Sequence, residues 1–85
     1  MTTKARTTYH IEVTDTFGDD LNYCWLRRYA VNATTERGAM RVVGNHEGVF
    51  MNYDGWKWKF VGACIAAYVV EDVPADDVVR YVKLN

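Results

Sequence analysis

A chain of 85 residues has room for one domain, and 49 % hydrophobic residues with 14 % aromatics is too apolar a composition for a disordered one. A net charge of −1 excludes capture of nucleic acid by bulk electrostatics, and it equally excludes an acidic mimic of nucleic acid. No apolar run approaches the ~20 residues that span a bilayer, and Met1–Thr8 lacks the apolar stretch of a signal peptide, so a cytoplasmic protein with no membrane partner is expected.

Residues 1–7 are polar and read as a flexible lead-in, with residues 8–85 forming the single domain. Tyr9, Ile11 and Val13 alternate with His10, Glu12 and Thr14, which predicts a first strand with one face buried. Phe17-Gly18-Asp19-Asp20 supplies a turn. A second strand is expected from about Leu21 to Ala33, its alternation broken at Arg27-Arg28. Either Arg27 lies at the rim of the apolar face or a bulge resets the register there.

The period then changes from strand to helix. Thr34 or Thr35 suits an N-cap, Glu36 suits the first turn, and Ala39, Val42 and Val43 share one helical face. Gly44-Asn45 offers a stop, which gives a helix of about ten residues that needs a sheet to hold it. Gly38 inside it costs about 1 kcal/mol relative to alanine.

Gly48–Tyr53 and Trp56–Val61 read as two strands joined at Asp54-Gly55 as a hairpin. Strict alternation puts Trp56, Trp58 and Phe60 on one face and Lys57 and Lys59 on the other. Ala63–Val73 is read as a fifth strand. Val78–Leu84 is read first as a final strand, the alternative being a short helix with Pro74 at its first position. The order ββαββ plus a C-terminal β or α element predicts an α+β fold: a small antiparallel sheet of about five or six strands with one short helix across a face.

Chemistry-bearing residues are sparse. His10, Cys24, His46 and Cys64 are spaced 14, 22 and 18 residues apart, unlike the close ligand pairs of structural zinc, so no metal or cofactor is expected. Both cysteines sit in apolar runs and read as buried free thiols with nothing nearby to activate them. Glu71, Asp72, Asp76 and Asp77 flank Pro74 and read as a solvated loop. Phosphate-binding glycine loops and hydrolase motifs are absent, and a binding protein is expected in place of an enzyme.

Charge is unevenly distributed. Residues 21–60 sum to +3, whereas residues 1–20 and 61–85 each sum to −2. Arg27, Arg28, Lys57 and Lys59 are therefore the candidate polar contacts, with Tyr53 and Trp56 near the hairpin tip as apolar anchors. A nucleic-acid contact along the lysine face is the alternative, and pairing of a free sheet edge would give a homodimer.

The stretch Tyr29–Arg41 has the pattern Y-x-V-x-A-[ST]-x-x-x-x-A-x-R. It resembles a strand-to-helix junction of small phage and mobile-element proteins, among them anti-CRISPR proteins with one helix on an antiparallel sheet. The resemblance covers thirteen residues and carries no functional side chains across; Gly38 departs from its usual helix former. It implies a phage-encoded inhibitor that binds a bacterial host protein or ribonucleoprotein complex and occludes a functional surface.

Overall fold

The computed structural model describes residues 5–18, 20–55, 57–61 and 63–84. Among these residues six strands form one sheet: β1 (Thr7–Phe17), β2 (Asp20–Ala33), β3 (Phe50–Asp54), β4 (Lys57–Val61), β5 (Ile65–Val70) and β6 (Val82–Lys83). Two helices, α1 (Glu36–Glu47) and the single turn α2 (Ala75–Val78), complete the α+β fold. The spatial order is β3-β4-β5-β1-β2-β6. Neighbours are antiparallel except β6, which runs parallel to β2. The sheet is therefore mixed. After β5 the chain crosses β1 and β2 and turns through α2 on the way, so it reaches the far edge in the same sense as β2.

One face of the sheet carries α1, and the core lies between them. Ile11, Val13, Val31, Ala39, Met40 and Val43 are fully or almost fully buried there, joined by Tyr29, Trp58 and Phe60. Alternation accounts for the set: β1, β2, β4 and β5 contribute every second residue, and α1 contributes one stripe. Trp58 and Phe60 lie in this core, which places Lys57 and Lys59 on the opposite face. Trp56 lies outside the described residues, as do residues 1–4 of the expected lead-in; Thr7 already belongs to β1.

The ends of α1 follow from single residues. Thr35 is the N-cap, its hydroxyl accepting from the Gly38 amide at 3.0 Å. A Cβ at Gly38 would stand 3.1 Å from that hydroxyl oxygen, so the glycine gives the cap room. The helix does not stop at Gly44-Asn45. It runs on to Glu47 and closes at Gly48, whose φ of 78° is left-handed. Gly48 N–H bonds to the Asn45 carbonyl and Val49 N–H to the Gly44 carbonyl, a Schellman closure that satisfies two otherwise orphaned carbonyls. Gly44 is a buried contact residue within the helix.

The irregularity of β2 falls before Arg27. Thr14 pairs with Leu26 but Thr16 with Leu21, so residues 22–25 bulge out of the ladder. Tyr23 sits there with φ 57°. The bulge is held from β1: the buried Thr14 hydroxyl donates to the Trp25 carbonyl and accepts from Tyr23 N–H. The Asp15 carboxylate accepts from the Asn22 amide and from Cys24 N–H, and the Asn22 bond foremost keeps its pKa below the ordinary value. Arg27, back in register, lies at the rim of the helix-covered face beside Tyr29.

The C-terminal segment combines both expected alternatives. Pro74 stands at the N-cap position of α2, one residue earlier than N1, and the strand is reduced to Val82–Lys83. The fifth strand is likewise shorter than Ala63–Val73.

Candidate functional site

The sequence-predicted contact residues fall on both faces. Arg28, Lys57 and Lys59 lie on the face away from α1; Arg27 and Tyr53 lie on the helix side. Arg27 and Arg28 already have carboxylate partners. Arg27 forms a forked pair with Glu47, with Nε to Oε2 at 3.1 Å, and its guanidinium stacks over Trp25 at 4.1 Å. The Tyr29 hydroxyl donates to the same carboxylate at 2.7 Å. Burial pushes the Glu47 pKa up, but the bonds from Arg27 and Tyr29 outweigh it and hold the carboxyl below its ordinary range. Burial, reinforced by Glu47, raises the Tyr29 hydroxyl.

On the other face Glu12 is the centre. It accepts from Arg28 Nε at 3.1 Å, from the Tyr68 hydroxyl at 2.6 Å and from the Tyr81 hydroxyl at 3.3 Å. His10 stacks edge-on against Tyr81, and Tyr23, displaced by the bulge, does so against Tyr68. Burial first and Glu12 second push the Tyr68 hydroxyl far above its ordinary value; Tyr81 moves the same way for the same reasons. Three side chains converge on one carboxylate, and the bond from Tyr81 ties the C-terminal segment across the sheet.

Tyr53 is half exposed, its ring 4.9 Å from that of Trp58 and its hydroxyl donating to the Gly55 carbonyl. It adjoins a groove of about 320 Å³ lined by Arg37, Arg41, Gly44, Asn45, Val49, Phe50 and Trp58. The helical members repeat at i, i+4, i+7 and i+8, one stripe of α1 turned toward β3. Trp58 is locked as a wall by its indole N–H, which donates to Glu36 at 3.1 Å. That bond occupies the nearest carboxylate of the helix. Among the described residues neither Arg37 nor Arg41 has an ion-pair or hydrogen-bond partner. Phe50, at the start of β3, is 86 % exposed. Two uncommitted guanidinium groups beside an apolar floor suit an anionic group carried next to an apolar one.

Sequence reasoning used Arg37 and Arg41 in the charge balance, and Arg41 as the end of the strand-to-helix pattern, but not as contact residues. The signal was their spacing. They stand at i and i+4 with Gly38, Met40, Gly44 and Asn45 at the other helical positions three or four residues away, so no acid on the helix is placed to neutralise either.

Cys24 and Cys64 are both exposed free thiols, contrary to their expected burial. Cys24 lies in the β2 bulge and Cys64 in the connection before β5, so neither shares the inward alternation of its run. Among the described residues no three His, Cys, Asp or Glu side chains are grouped to hold a metal ion. No described helix is long and apolar enough to cross a membrane. No family model matches the chain, and no curated protein or solved structure matches it at a significant level.

Proposed function

We propose that this chain is a non-enzymatic protein-binding module whose contact surface is the groove between α1 and β3, with Arg37 and Arg41 as its polar contacts and Tyr53, Phe50 and Trp58 as its apolar ones. One observation carries the reading: two like-charged arginines at i and i+4, uncompensated, line the wall of an apolar groove. Such a pair costs a helix a few tenths of a kcal/mol, a cost that a carboxylate-bearing partner removes. Arginine and tyrosine are also the residue types enriched where binding energy concentrates. The resemblance over Tyr29–Arg41 extends the reading to a phage-encoded inhibitor that occludes a surface of a bacterial defence complex. A reducing cytoplasm suits the two exposed free thiols.

A second reading, a small nucleic-acid-binding protein, is favoured by one feature: on the groove side, exposed aromatics and cations share a surface, as base stacking beside phosphate contacts requires. Affinity capture from a bacterial lysate, with and without nuclease, separates the two. The protein-binding reading predicts a stoichiometric protein that survives nuclease and is lost from Arg37→Glu/Arg41→Glu while the melting temperature is kept. Recovery of nucleic acid alone, abolished by nuclease, supports the second reading. Undiminished capture by the double variant contradicts the assignment of the groove.

A further inference from the structure

We infer that the partner enters the groove as an extended segment that adds to the free edge of β3 and carries carboxylates at alternate positions, i and i+2, for Arg37 and Arg41. This rests on the protein-binding reading above and specifies the shape and chemistry of what binds.

The two edges of the sheet are treated differently. At the β2 edge, β6 pairs with Tyr29-Ala30, Leu84 N–H bonds to the Ala30 carbonyl, and Arg6 donates to the Asn32 carbonyl. At the other edge, β3 pairs among the described residues only with β4, in continuous register from Phe50 to Asp54. Its sequence, FMNYD, is short and ends in Asp54, but it has no proline or lysine and its register has no bulge, so three of the devices that blunt an edge strand are missing. A row of backbone donors and acceptors is left for an added strand.

The groove adjoins that edge. A strand added beside β3 would lie about 4.8 Å further out and present every second side chain toward α1. Arg37 and Arg41 are about 6 Å apart along the helix axis, from a rise of ~1.5 Å per residue. Alternate residues of a strand are about 6.6 Å apart, so in a segment that runs along the α1 axis carboxylates at i and i+2 match the arginine pair. The lined stripe from Arg37 to Asn45 spans about 12 Å, room for roughly four residues of extended chain. A second copy of this chain is a poor occupant, because its β3 would bring a second Arg37–Arg41 pair to the same edge, like charge against like.

The test uses the isotopically labelled full chain and two synthetic peptides of about ten residues built from valine, threonine and two aspartates. In one the aspartates are at i and i+2; in the other, of the same composition, they are adjacent. The inference predicts about tenfold tighter binding of the alternating peptide and a similar loss in Arg37→Gln/Arg41→Gln. It also predicts slowed hydrogen exchange at those β3 amides that do not bond to β4. Equal binding of both peptides, binding of neither at millimolar concentration, or binding without β3 protection overturns it. A nuclease-resistant protein partner that depends on Arg37 and Arg41 would in that case leave the broader reading standing; nuclease-sensitive capture would overturn the reading itself.

Discussion

Glu47 shows how individual charges are used in this protein. Its carboxylate is spent on Arg27 and Tyr29 at the end of α1, and Glu12 is spent on Arg28, Tyr68 and Tyr81. Because Glu47 titrates lower folded than its ordinary value of 4.5, the unfolded chain takes up the proton first as pH falls. The pair's stabilisation is therefore full above about pH 4.5 and is lost as pH falls through the lower folded value. Glu47→Gln should cost about 1 kcal/mol at neutral pH, Arg27's exposure keeping the figure small, and should flatten the acid side of a stability-against-pH curve from urea titrations. An acid limb as steep as the parent's contradicts this role. Arg37 and Arg41 contrast with these spent charges, and their lack of helical acids was legible in the sequence. What the sequence did not carry was the groove beside them, because Trp58 and Val49 reach it only through the fold.

The helix and the strands were legible in unequal degree, and for physical reasons. Alternation in Tyr9–Thr14 and in Trp58–Phe60, and the Thr35 cap, are local signals, and local signals survive into the structure. The helix end was ambiguous because Gly44 and Gly48 both offer a stop; burial of Gly44 against the core side decides for Gly48. Thr35→Ala should remove the cap bond and Gly48→Ala should place a Cβ at φ 78°, each costing about 1 kcal/mol. For a domain of this size either change lowers the melting temperature by about 4–8 °C, measurable by calorimetry. Unchanged melting in both would mean that α1 is not closed in this way. The β2 bulge was misplaced by sequence reasoning because its determinants, Thr14 and Asp15, lie on the partner strand.

At the scale of the whole molecule, topology sorts the charges by face. The crossing of β1 and β2 by residues 71–81 was invisible to periodicity, since it depends on Tyr81 finding Glu12 and His10 across the sheet. That crossing builds the face shared with Arg28 and covers the β2 edge, while the opposite edge and the arginine groove stay open on the helix side. The central claim is that the molecule binds through the groove and not through the lysine face. The most direct test is a calorimetric titration of the captured partner into three forms of the chain: parent, Arg37→Glu/Arg41→Glu and Lys57→Glu/Lys59→Glu. The account predicts that reversal in the groove weakens binding by at least about tenfold while reversal of the lysines changes it less than about threefold. The opposite ranking, with melting temperatures matched, would contradict it and move the contact surface to the far face of the sheet.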